Sequence, residues 1–291
     1  MATMAITADM VKKLRDQTGA GMMECKNALT ESNGDFEEAN TILRKRGLAS
    51  AAKKAGRTAS EGLVANKVAA DHSSGILAEV NCESDFVART PDFQQLMQTV
   101  LAEIEKAGDA ANEAWLKDPQ GPVIKQAAPV IAKLGENMAV SRFVRYARSG
   151  YVGQYIHQGG KIGVMVELGG VTPEIAKKDE LPTLVKEIAM QIAAASPAYV
   201  SRESVPPEIV EKEKAIYRAQ MENSGKPANV LDKIIEGKLG SFYKQVVLPD
   251  QESIRDPKMS VKDVLAQASK TLGGPVSVTR FVRMKVGETN V

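Results

Sequence analysis

The chain carries few side chains that could do covalent chemistry. Its two cysteines, Cys25 and Cys82, and two histidines, His72 and His157, show neither C-x-x-C nor H-x-x-x-H spacing. They can neither frame a disulfide scaffold nor supply a protein-only zinc site. Gly160-Lys161 and Gly225-Lys226 lack both the glycine five residues earlier and the following Ser or Thr of a phosphate-binding P-loop. Neither G-x-G-x-x-G nor G-x-S-x-G occurs. Glu83 and Asp85 are conceivable as an acid/base pair, but they stand in a short loop without a metal-ligating neighbour. The expectation is a protein with no catalytic residue, no metal and no cofactor, which works by binding.

Composition says little about what is bound. The 291 residues carry 38 basic and 36 acidic side chains, a formal charge of +2, in an ordinary globular mix of 43% hydrophobic and 25% charged residues. At about 150 residues per domain, two domains are expected. Any basic site must be local, and one run qualifies: Arg44, Lys45, Arg46, Lys53, Lys54 and Arg57, with no acid among them. It reads as a phosphate-tracking patch or as a solvated Ala/Lys helix between two units. The absence of an aromatic to stack a base favours the helix, so no nucleic-acid partner is expected. The most apolar helical stretch, Leu184–Ala195, is interrupted by charges and far shorter than the roughly 20 residues that span a bilayer. With no signal-peptide pattern at the N-terminus, a cytoplasmic protein in a reducing compartment is expected.

The elements that position any site begin with residues 7–47, which divide at glycines into three short amphipathic units and predict three helices. Asp35 with Glu38 marks the start of the third, and Gly47 behind Arg44-Lys45-Arg46 its end. So small a bundle has little core, which favours an interaction module.

The chain then repeats itself. Gly62–Glu79 aligns without gaps on Gly150–Glu167, an offset of 88 residues that places Gly75 on Gly163. The same offset carries Phe93, Leu96, Val100 and Ile104 onto Leu181, Leu184, Ile188 and Ile192, one face of a helix. Leu134-Gly135 and Val140–Arg145 recur as Leu272-Gly273 and Val278–Arg283 at an offset of 138. Each copy reads as a β-hairpin, a loop, helices and a returning strand, so the fold class is α+β with antiparallel sheets in two related subdomains. The extra 50 residues of the second copy lie between Ser196 and Val261. There, two apolar stripes around Asn223–Pro227 predict a projecting helical hairpin roughly 20 Å long.

Positions that differ between the copies are candidates for a task other than the fold's. Asp85-Phe86 faces Pro173-Glu174, and Glu136-Asn137 faces Gly274-Pro275. Phe86 is either a lid on its own core or a wedge for a partner. Glu136 and Asn137 are surplus polar groups or turn formers. His157 replaces Ala69 of the first copy.

Two stretches, Leu14-Arg-Asp-Gln-Thr-Gly-Ala-Gly-Met-Met-Glu-Cys-Lys-Asn-Ala-Leu29 and Glu79-Val-Asn-Cys-Glu-Ser-Asp-Phe-Val-Ala-Arg89, resemble the two signature motifs of the translation elongation factor Ts family. The likeness continues through Leu134–Asn137, Tyr155–His157 and Val210–Glu213 over nearly the whole chain. It implies a guanine-nucleotide exchange factor for elongation factor Tu, binding its GDP-bound and nucleotide-free forms and promoting GDP release without covalent chemistry. It implies a ubiquitin-associated-like three-helix domain and linker over 1–56, which docks through Arg15, Met22 and Met23. A first core subdomain follows over 57–149. The second, over 150–200 and 251–291, is interrupted by a coiled-coil arm over 201–250. By the same likeness, Ser84, Asp85, Phe86 and Val87 form the magnesium-dislocating loop, and Glu136, Asn137 and His157 are further partner contacts. A dimer of the binary complex is compatible with it. Family members usually have Thr at the position of Ser84, which keeps the hydroxyl, and often carry another helix beyond Val-Gly-Glu, where this chain has Thr289-Asn290-Val291.

Overall fold

The computed structural model describes residues 5–147, 150–221 and 227–288. In chain order the elements are α1 (Ala8–Thr18), α2 (Met22–Glu31), α3 (Phe36–Lys54), β1 (Glu61–Val68), β2 (Ser74–Cys82), α4 (Asp85–Ala88), α5 (Pro91–Ala107), α6 (Glu113–Lys117) and α7 (Pro122–Leu134). They continue with β3 (Met138–Ala147), β4 (Tyr151–His157), β5 (Ile162–Gly169), α8 (Glu180–Ala195), α9 (Pro207–Met221), α10 (Ala228–Val246), α11 (Val261–Leu272) and β6 (Ser277–Lys285). It is a mixed α and β chain with two antiparallel three-stranded sheets, ordered β1-β2-β3 and β4-β5-β6. Among the described residues no helix is long and apolar enough to cross a membrane.

The repeat seen in the sequence is a repeat of structure. Both central strands carry an irregularity at the same place, between Glu79 and Val80 and between Glu167 and Leu168. Phe93, Leu96, Val100 and Ile104 bury the inner face of α5 against the first sheet, and Leu181, Leu184, Ile188 and Ile192 bury that of α8 against the second. Gly135 and Gly273 close α7 and α11 in the left-handed conformation, which glycine adopts without steric cost. In each copy an arginine fastens a buried carboxylate: Arg142 Nε lies 2.8 Å from Glu79 Oε2, and Arg280 Nε 2.8 Å from Glu167 Oε2.

Between the sheets lies a third layer of side chains, from Val64, Leu77 and Tyr146 on one side and Val152, Met165 and Met284 on the other. The duplicated glycines belong to this seam. A Cβ added at Gly75 would stand 2.7 Å from Met165 Sδ and 2.8 Å from Val152 Cγ1. One added at Gly163 would collide with Val64 Cγ1 and stand 3.0 Å from Leu77 Cδ1. At the offset of 88, Val64 corresponds to Val152 and Leu77 to Met165, so each glycine receives the equivalent pair from the other copy. The two copies therefore pack like the halves of a symmetric dimer. His72 stitches the same seam, donating from Nδ1 to the Val152 carbonyl at 2.8 Å while its own carbonyl accepts from Val152 N–H at 2.8 Å. Gly163→Ala is expected to cost about 1–3 kcal/mol by overpacking the seam. Gly237→Ala, inside α10 with nothing within 4 Å, should be neutral or stabilising. Urea unfolding of the two variants checks the contrast.

Two local expectations are corrected. Gly47 does not end α3. The helix runs on to Lys54 because Leu48 and Ala51 pack on the first core, and buried Gly47 lies against the α7 backbone, where a Cβ would be 3.5 Å from the Ala128 oxygen. The run of basic residues thus continues a helix. Residues 83–89 are not wholly loop: Asp85–Ala88 form one helical turn, with Ser84 Oγ accepting from Val87 N–H at 3.4 Å.

In the inserted segment, α9 and α10 pack on each other, and Lys238 lies over the Tyr217 ring at 5.3 Å. α9 buries no side chain, while α10 buries Ile235 and Leu239. The chain leaves and re-enters at one place: Ala198 N and Tyr199 N both donate to Val246 O, and Leu248 N donates to Tyr199 O. The expected turn at Asn223–Lys226 lies outside the described residues.

Candidate partner-contact site

The turn at Asp85–Ala88 divides its side chains between two environments. Val87 is 9% exposed and Ala88 1%, both in the core under α5, whereas Phe86 is 79% exposed. The second copy makes a comparable turn at Ile175–Lys177, and there Ile175, the counterpart of Val87, is buried. The counterpart of Phe86 is Glu174, which is exposed as the outward position requires. The fold therefore demands the apolar anchor and leaves the residue before it to solvent, yet the first copy places a phenyl ring there. Phe86 is not a lid on its own core.

The turn is fastened from a distant segment by two carboxylates acting in opposite directions. Glu136 Oε2 accepts from the backbone N–H of Glu83 at 3.1 Å and of Ser84 at 2.9 Å, and its Oε1 accepts from Ser84 Oγ at 2.6 Å. In return Glu83 Oε1 accepts from Asn137 N–H at 2.7 Å, and Asn137 Nδ2 donates to Arg57 O at 2.8 Å. Beneath them Cys82 donates from Sγ to Ser84 O at 3.1 Å; burial pushes its thiol up to about 11, so it stays protonated at neutral pH. Asp85 faces outward and pairs with Arg89 at 2.7 Å. The brace gives Glu136 and Asn137 an internal task that spacing alone did not reveal. Asn137 is 5% exposed and holds Arg57 instead of offering a free side chain. Glu83 and Arg57 are members of the same network, a role that neither the acid/base pairing of Glu83 nor the basic run that includes Arg57 predicts. A signal existed: the second copy lacks Glu136-Asn137 and Asp85-Phe86 together.

The other candidates lie elsewhere. Among the described residues, Phe86 at 79%, Met23 at 64% and Met22 at 56% are the most exposed large hydrophobics. Met22 and Met23 open α2 behind Gly21, and Arg15 is exposed in the last turn of α1. Their own bundle closes on Leu14, Cys25, Ala28 and Leu29, so it does not need either methionine. His157 ends β4 and shares a hydrogen bond with Tyr155 Oη at 2.8 Å. No described hydrogen bond joins it to the Ser84–Val87 turn. Among the described residues no group of three or more His, Cys, Asp or Glu is arranged to hold a metal.

Comparison with known proteins bears on the chain as a whole. A family model described as elongation factor TS matches residues 83–288. The chain is 45% identical to elongation factor Ts of a Clostridium perfringens strain over 287 residues, covering 97% of this chain and 93% of that one. It is 44% identical to elongation factor Ts of a Nitratiruptor species over 289 residues, covering 98% and 94%. With elongation factor Ts of Symbiobacterium thermophilum the identity is 45% over 285 residues, covering 97% and 92%. Matches of this extent establish a protein of translation elongation that belongs to the elongation factor Ts family.

Proposed function

We propose that this chain binds elongation factor Tu in its GDP-bound and nucleotide-free forms and accelerates GDP release, with Phe86 as the wedge. The observation that carries the reading is the ring exposed on a turn whose neighbours are buried and braced. Burying a phenyl side chain is worth about 1.5–3 kcal/mol, free energy available to drive a rearrangement in the partner. In this reading the rearrangement withdraws magnesium from the partner's nucleotide site. Unshielded phosphate charge then lowers the barrier to GDP release. By reciprocity the nucleotide weakens the factor's hold by the same ratio, which lets GTP free it. The chain performs no covalent step.

The remaining parts supply affinity and orientation. The helices α1–α3, a ubiquitin-associated-like unit with its linker over 1–56, dock through Arg15, Met22 and Met23. Residues 57–149 form a first core subdomain presenting Ser84–Val87, with Glu136 and Asn137 holding the turn from beneath. Residues 150–200 and 251–291 form a second, contributing His157, and 201–250 a coiled-coil arm. Release of a fluorescent GDP from elongation factor Tu tests the reading. Catalytic amounts of this protein should accelerate release with turnover, at least tenfold, equivalent to about 1.4 kcal/mol off the barrier. Binding without acceleration would instead make it a passive adaptor.

A further inference from the structure

Arg44 and Arg46, at the head of the basic run, have no part in the exchange reading, and the structure leads from them to a second site. α3 forms one wall of a cleft of about 510 Å³ whose opposite wall is built from α5 and α7. Arg44 and Arg46 enter it from α3, Lys106 from α5, and Lys125 and Lys133 from α7. Two of these are committed: Arg46 to Glu31 at 2.6 Å and Lys133 to Asp92 at 2.7 Å. Arg44, Lys106 and Lys125 have no ion-pair partner among the described residues. The acids in the lining are Glu24 and Glu103, and the Glu24 carboxylate is already accepting from Gly21 N–H at 3.2 Å.

Five cationic side chains from three helices thus share one concave surface with two acidic ones. A concave, low-dielectric wall on which one sign predominates concentrates its field and draws counter-ions. We infer that the α3–α5–α7 cleft binds a multivalent phosphate anion. Its volume falls within the roughly 300–1,000 Å³ of small-ligand sites. No aromatic lines it, so there is no platform for a base, and recognition rests on phosphate. The same chemistry is presented by a small free polyphosphate and by an RNA backbone. The cations gather in one partly open concavity between helices, which favours the small free anion over a strand that needs a continuous track.

Calorimetric titration of the full chain with inorganic tripolyphosphate, and separately with single-stranded oligouridylate, tests this. Tripolyphosphate should bind at one site, and Arg44→Ala and Lys125→Ala should each weaken it about tenfold, the scale of one charge-assisted hydrogen bond. Lys45→Ala is the control: Lys45 lies between two cleft residues on α3 but outside the lining. All three side chains are exposed, and melting curves of the variants should match the parent. The inference is overturned if tripolyphosphate does not bind, if Lys45→Ala weakens binding as much as Arg44→Ala, or if oligouridylate alone binds. None of these readouts involves GDP release, so the result stands apart from the exchange reading.

Discussion

Phe86→Ala should lower catalysed GDP release by roughly 30- to 900-fold, the range set by about 2–4 kcal/mol for truncating a buried aromatic at the centre of an interface. The fold should not register the change. Phe86 is 79% exposed, and exposed substitutions usually stay within about 0.5 kcal/mol of the parent. If burial of the ring is what drives GDP out, the loss falls on the complex in which the ring is buried. Affinity for nucleotide-free partner should drop by the same factor as the exchange rate, while affinity for the GDP-bound partner, held through other surfaces, changes little. Val87→Ala makes the contrast, since its side chain is 9% exposed and belongs to the core. There, melting temperature should fall before exchange does. A Phe86→Ala protein that binds and exchanges at the parental rate would remove the wedge from the mechanism.

The contrast between Phe86 and Val87 also shows what the sequence could disclose. Periodicity identified Phe93, Leu96, Val100 and Ile104 as one buried helix face, because a spacing of three and four residues is a local property of the chain. Self-comparison went further: Gly75 and Gly163 matched in the sequence, and in the structure each is the gap that accepts the other copy's valine and long apolar side chain. Gly47 was misread by the same local logic. A glycine after a basic turn is an ordinary helix stop, and only the α7 backbone packed on it explains why α3 continues. The turn at Asp85–Ala88 was hidden because one helical turn is too short to show a period. Its brace was hidden because carboxylate pairing across more than 50 positions leaves no local trace.

That brace yields the second large effect. Glu136→Ala leaves two backbone N–H groups and a hydroxyl without their acceptor, and hydrogen bonds to a charged group are worth about 1.5–3 kcal/mol each. Water reaching the half-exposed site recovers part of that, so a stability loss of about 2–3 kcal/mol is expected, with exchange reduced at least tenfold. Glu136→Gln, which keeps an acceptor but not the charge, should fall between. Stability and exchange will both suffer whether Glu136 positions Phe86 or itself touches the partner, so single variants cannot separate the two roles. A double-mutant cycle can. If Glu136 acts through the ring, Glu136→Ala costs nothing further in exchange once Phe86 is alanine, yet still lowers the melting temperature by its full amount. Additive losses in GDP release would place the Glu136 carboxylate against the partner, and would make the backbone hydrogen bonds of the turn a structural matter alone.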